Sequence, residues 1–147
     1  MNRTDAGTLM TEIILEVFKL SGLLVLEGDQ LTKELGLTSA RWKVLGALAG
    51  AGRPMTVPDI ARSMGQTRQA VQRLVNEMKE DGLLDTQTNP GHKRAKYQIL
   101  TGKGKEYFDI MERKQIPWVN AVADGFDVKD LKNVSVILRK LTETLEP

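Results

Sequence analysis

The sequence predicts a mainly α-helical chain carrying one small β-hairpin, and three observations predict it. Apolar residues recur at helical spacing over most of the chain, glycines and capping residues cut these stripes into separate helices, and two short strand-like runs flank a turn sequence beyond residue 82. Composition agrees. Hydrophobic residues make up 41% and charged residues 27% of 147, the balance of a chain long enough to bury its own core.

In residues 8–26, Leu9, Ile13, Val17, Leu20 and Leu24 fall at steps of three and four, which gives one long helix an apolar face. Thr38 or Ser39 can cap a second helix whose broad apolar face holds Trp42, Val44, Leu45, Leu48 and Ala49 and which ends near Gly50 and Gly52. Thr56, three residues before Asp59 and followed by Pro58, is an acidic form of the capping box, so a short helix runs from there to Gly65. Another starts at Thr67, turns Val71, Leu74, Val75 and Met78 to one side, and stops at Gly82. Leu83–Thr88 and Ala95–Thr101 read as strands around a tight turn at Asn89-Pro90-Gly91. Thr101-Gly-Lys-Gly opens a further helix with a bend expected at Pro117. In the last helix Leu131, Val134, Leu138, Leu141 and Leu145 repeat at steps of 3, 4, 3 and 4, the spacing of a packing seam. A terminal helix with such a seam has to bury it, and a second subunit is the simplest cover.

Helix, helix, two-residue turn, helix and hairpin in that order make a winged helix-turn-helix, predicted over 38–104, with 8–36 and 105–146 forming a helical dimerisation module. If the apolar side of the helix after Thr67 faces inward, then Arg68, Gln69, Gln72, Arg73 and Asn76 face outward. Arginine pairs with guanine acceptors and the amides with adenine, while Thr67 and the helix amino end suit a phosphate. The hairpin tip adds His92, Lys93, Arg94 and Lys96. Taken singly, each group also fits a solvated surface; their joint placement on one supersecondary unit favours nucleic acid. Charge points the same way, since Arg53–Lys105 carries net +5 and the remainder net −3.

The segments MTVPDIARSMGQTRQAVQRLVNEMKEDGLL and NPGHKRAKYQILTGKGKEYF resemble the helix-turn-helix, wing and following helix of the multiple antibiotic resistance regulator (MarR) family, and TSARWKVLGALAGAG resembles the helix before them. The resemblance implies an obligate homodimer with interlocked first and last helices, acting on double-stranded DNA at a pseudo-palindromic operator, in the sense of a repressor. It places Thr67, Arg68, Gln69, Gln72 and Arg73 on the recognition helix and Arg94 at the wing, with that arginine entering the minor groove; Lys93, beside it in the cationic tip, is the further DNA-contact candidate. It also implies a small aromatic or amphipathic effector between the dimerisation helices and the DNA-binding lobe; Phe18, Trp42, Tyr107, Phe108 and Trp118 are candidate walls, with ordinary core packing as the other reading. The chain departs from the family at the wing. Asn89-Pro90-Gly91-His92-Lys93-Arg94 stands where Asp-Pro-x-Asp-Arg-Arg is common, so the carboxylates that orient the wing arginine are missing, and Thr86 and Gln87 replace frequent arginines.

Other chemistry finds little support. One histidine, His92, in a Lys/Arg-rich turn provides no catalytic triad and no multi-histidine metal site, and the chain has no cysteine for thiolate ligands, disulfides or redox sensing. Gly102-Lys103-Gly104 lacks the spacing of a phosphate loop. Neither an enzyme nor a cofactor is expected. Asp5 and Glu12 interrupt the start where a signal peptide would be apolar, and no apolar run reaches the ~20 residues of a membrane span, so a cytoplasmic location without membrane contact is expected. The remaining alternative is a winged helix that binds only protein partners.

Overall fold

A computed structural model describes all 147 residues as six α-helices, a 3-10 turn at Lys33–Leu35 and three short strands. In chain order these are α1 (Asp5–Thr32), α2 (Ser39–Ala51), β1 (Met55–Thr56), α3 (Val57–Met64), α4 (Arg68–Glu80), β2 (Leu84–Gln87), β3 (Tyr97–Leu100), α5 (Gly102–Ala123) and α6 (Val128–Leu145). The chain divides into two compact units, Met1–Arg113 and Lys114–Pro147. No helix is long and apolar enough to cross a membrane.

In the first unit, α1 is longer than its apolar stripe. Thr4 caps it, accepting from the Gly7 amide at 3.0 Å, and polar residues carry it on to Thr32. Thr32 is buried, and its hydroxyl donates to the Gly28 carbonyl at 2.9 Å and lies 3.0 Å from the Leu37 carbonyl. The entry to α2 is tied to the same turn: the Ser39 amide donates to the Asp29 carboxylate at 2.7 Å, and the Ser39 hydroxyl donates to the Val25 carbonyl at 2.7 Å. The Ser39 amide bond first, then the nearby Ser39 hydroxyl and the charge of Lys43, hold the Asp29 carboxyl below its ordinary value.

The predicted caps form. Thr38 caps α2, and at α3 the Asp59 amide donates to the Thr56 hydroxyl at 3.3 Å while the Thr56 amide donates to the Asp59 carboxylate at 3.2 Å. Burial pushes the Asp59 carboxyl up, but the Thr56 bonds and the charges of Arg53 and Arg62 outweigh it and leave the group lowered. The turn between α3 and α4 is fixed by Gly65 at φ 63°: Gln66 donates back to the Ala61 carbonyl at 2.9 Å and Gly65 to the Arg62 carbonyl at 3.3 Å. Gly82 ends α4 in the same way, at φ 76°, with Leu83 bonded to the Met78 carbonyl at 2.9 Å. A residue with a Cβ would be strained at either stop.

Val44, Leu45, Ile60, Val71, Val75, Met78, Leu83 and Met111 form the centre of the core, drawn from α2, α3, α4, the strand entry and α5. The inward stripe of α4 is the one that the spacing predicted. The sheet holds one strand more than expected: it is antiparallel in the order β1-β3-β2, with Met55 opposite Gln98 and Leu84 opposite Leu100. Its hairpin has shorter strands than expected. They stop at Gln87 and restart at Tyr97, so the connection is a broad tip over 88–96, and within it the tight turn expected at Asn89-Pro90-Gly91 forms, closed by the His92 amide donating to the Asn89 carbonyl at 3.1 Å. The first turn of α5 lies directly against the Leu83 carbonyl, where Gly104 is buried. Thr101 closes that junction, its amide donating to Leu83 at 3.1 Å and its hydroxyl to the Gly82 carbonyl at 2.6 Å.

The second unit contains the end of α5 and all of α6. α5 continues through Pro117 to Ala123 without a break in the helix. Asp127 caps α6, accepting from the Lys129 amide at 2.8 Å. The predicted seam lies along α6, and Leu131, Val134, Leu138 and Leu145 are exposed in the single chain.

Candidate nucleic-acid interface

Because α4 gives Val71, Val75 and Met78 to the core, its opposite side is left in solvent, and there Arg68, Gln69, Gln72, Arg73 and Asn76 are all exposed. At 13 residues the helix is about 20 Å long, a length that lies along a major groove. Thr67 caps it by accepting from the Ala70 amide at 3.2 Å, which leaves the hydroxyl proton free to donate. No acidic residue stands in its first turn, so the positive end of the helix is unopposed.

An open cleft of about 690 Å³ separates α4 from the wing. Arg68, Gln69 and Gln72 line one side, His92, Arg94 and Lys96 the other, and no carboxylate lines it. The fold therefore brings most of the sequence-predicted residues onto one surface. Lys93 is exposed at the tip, outside the cleft lining. Lys93 and Arg94 make no hydrogen bond or ion pair within the chain, so both charges are free to meet phosphate. Two residues of the cleft had no signal in the sequence: Lys79, from the last turn of α4, and Gln98, a buried side chain on the central strand.

Arg73 stands apart. Its guanidinium is 3.5 Å from Glu77, and Glu77 in turn lies 3.4 Å from Arg41 of α2, whose other nitrogen reaches Asp81 at 2.5 Å. It borders a small cleft with Gly36, Thr38 and Arg41 on the flank of α4 away from the wing. Asn76, outward by periodicity, takes a place that spacing alone did not give it: the Gln72 amide donates to its carbonyl oxygen at 2.9 Å. The pair leaves the Gln72 oxygen and the Asn76 amide hydrogens to outside partners, so two side chains present one acceptor and one donor edge in fixed relation.

The wing tip has its own order. Asn89 is only 8% exposed, and its side chain spans the tip, accepting from the Gly91 amide at 3.1 Å and donating to the Ala95 carbonyl at 2.9 Å. The backbone adds His92 to Asn89 at 3.1 Å and Ala95 to His92 at 3.2 Å. The His92 ring accepts from the Ala95 amide through Nδ1 at 3.2 Å, which places the proton of the neutral ring on Nε2.

Comparison with known proteins gives a consistent result. A model described as the MarR family matches residues 35–95. Rv2011c, an uncharacterized protein of Mycobacterium tuberculosis (strain H37Rv), is 32% identical over 137 residues, covering 93% of this chain and 94% of that protein. The transcriptional activatory protein BadR of Rhodopseudomonas palustris is 24% identical over 149 residues, covering 99% of this chain and 85% of BadR. Among solved structures, MepR of S. aureus in complex with DNA shares the fold, with a TM-score of 0.77 at 18% identity over 88% of this chain and 94% of that one.

Proposed function

Since the chain belongs to the MarR family of transcriptional regulators, we propose that it binds operator DNA as a homodimer, each subunit laying α4 in a major groove and its wing on the adjacent backbone. The observation that carries this reading is the carboxylate-free cleft between Arg68, Gln69 and Gln72 on α4 and Arg94 and Lys96 on the wing. MepR, which shares the fold, is seen bound to DNA. In this reading Thr67, Arg94 and Lys93 hold phosphates, Gln69, Gln72 and Arg68 meet base edges, and Arg73 touches backbone from its flank. The DNA-binding lobe is 38–104 and the dimerisation module 8–36 with 105–146.

The dimer is supported by exposed apolar side chains on the first and last helices of the proposed module: Leu9, Leu20 and Leu24 on α1 and the seam of α6. Two α4 helices about 34 Å apart would meet successive major grooves on one side of a pseudo-palindromic site. Effector release belongs to the same proposal. An open cleft of about 590 Å³ between the end of α2, β3 and α5 has Leu48, Ile99 and Phe108 as apolar walls and Arg53, Lys105 and Asp109 among its lining, which suits a small amphipathic molecule. Trp42 and Tyr107, like Phe108, pack against the core, but they do not line this cleft. Occupying an operator would repress; BadR, similar over nearly the whole chain, is an activatory protein, which favours activation as a second reading. A promoter fusion measured with and without the gene separates them by the sign of the change.

Two substitutions test the docking. Gln72→Ala should cost about 1–3 kcal/mol at one or two adjacent base pairs and relax choice there, because it also frees Asn76 from its partner. Equal losses on operator and random DNA would show that the pair meets only backbone. Arg94→Ala should weaken binding broadly and flatten the logarithmic salt slope by about two per dimer, one phosphate per subunit. Unchanged affinity and slope in a salt titration of fluorescence anisotropy would separate the wing from DNA and overturn the docking.

A further inference from the structure

We propose that Asn89 is the positioning residue of the wing, presenting Arg94 to DNA through a side-chain clasp across the tip; the inference rests on the reading that the wing meets the operator. The two cations have no internal partner, so nothing at their own ends directs them. Their direction comes from the backbone of residues 91–95. That backbone lies outside the strand ladder, which ends at Gln87 and Tyr97. Beside the backbone turns at Asn89–His92 and His92–Ala95 and the His92 ring, Asn89 closes it: one amide side chain bonds Gly91 near the start and Ala95 just past Arg94, spanning the intervening residues as a ring.

The chemistry requires an amide. The oxygen accepts from the Gly91 N–H, as an aspartate oxygen would, but the Ala95 carbonyl needs a donor, and a carboxylate has none at neutral pH. An aspartate at 89 would set a negative oxygen against that carbonyl. Thus Asn89 organises the tip from within the loop, without a carboxylate pairing with the arginine itself. Its burial at the base of an otherwise exposed loop fits a group engaged on both edges.

The test is a double-substitution cycle on the full chain, reading operator affinity for wild type, Asn89→Ala, Arg94→Ala and both together. Asn89→Ala is neutral and keeps every cation, yet it should weaken binding about three- to tenfold, the scale of reordering a long side chain and its loop on binding. In the Arg94→Ala background the same change should cost little, because the group it directs is gone. Amide hydrogen exchange provides a second readout free of DNA: Asn89→Ala removes the acceptor of the Gly91 amide and should deprotect it, whereas Asn89→Asp keeps an acceptor there and should leave Gly91 protected. The thermal midpoint should hardly move, since the tip contributes nothing to the core. Equal losses from Asn89→Ala with and without Arg94, or no loss while Arg94→Ala weakens binding, would overturn the positioning role and leave the wing contact standing. No loss from Arg94→Ala would overturn the wing contact, and the positioning role with it.

Discussion

Replacing Leu138 and Leu141 together with Asp is expected to yield a monomer that no longer retains operator DNA at concentrations where the wild type does. Leu138 is exposed in the single chain although it lies on a seam of leucine and valine. In a dimer that seam would be dry, and an uncompensated carboxylate moved into such an environment costs several kcal/mol. Two per subunit, four per dimer, exceed what a standard interface offers. The binding loss follows from valency: a monomer holds one half-site, and losing the linked second site weakens binding by about 10²–10⁴ without any change in the DNA-contacting residues. The core of Met1–Arg113 contains no α6 residue, so the winged lobe should keep its fold, and circular dichroism should retain the helical signal. Sedimentation velocity decides the matter. Dimers that survive the double change would show that α6 is covered by something other than a second copy.

Gly104→Ala is the second large effect, and it acts on folding. A Cβ at this position would stand 2.2 Å from the Leu83 carbonyl oxygen and 3.2 Å from its carbon. The obstacle is backbone, and it is held: that same oxygen accepts from the Thr101 amide, and Leu83 itself is 1% exposed. Relief requires the first turn of α5 to lift from the end of α4, breaking the Thr101 and Leu83 bonds. The cost should be at the upper end of overpacking, about 3 kcal/mol or more. For a chain of this size that lowers the thermal midpoint by roughly 10 °C or more. Gly102→Ala is the control, since a Cβ there meets nothing within 4 Å. Equal midpoints for the two variants would refute the close approach.

Much of this was written in the sequence, and the physical reason is locality. Caps at Thr38, Thr56 and Thr67, the stops at Gly65 and Gly82, and the inward stripe of α4 depend on residues three or four apart, and each formed where the pattern put it. β1 did not announce itself, because Met55 and Thr56 are too few to show alternation and their partners lie in β3. The flank of Arg73 was equally hidden: Glu77 is one turn away, but Arg41, which fixes Glu77, comes from another helix. Asn89 read as a turn former by type, whereas its clasp spans six residues to Ala95, beyond any turn rule.

The pairing of β1 with β3 also bears on the order in which the lobe assembles. Met55 and Gln98 are 43 residues apart, with α3, the turn and α4 between them. Closing so long a loop costs entropy before the few ladder bonds repay it, whereas the helical contacts inside the loop are local and form fast. The helix-turn-helix should thus be the early nucleus of folding and the three-stranded sheet the late step. Core substitutions in α3 and α4 would then slow folding, while those in β1 would mainly hasten unfolding.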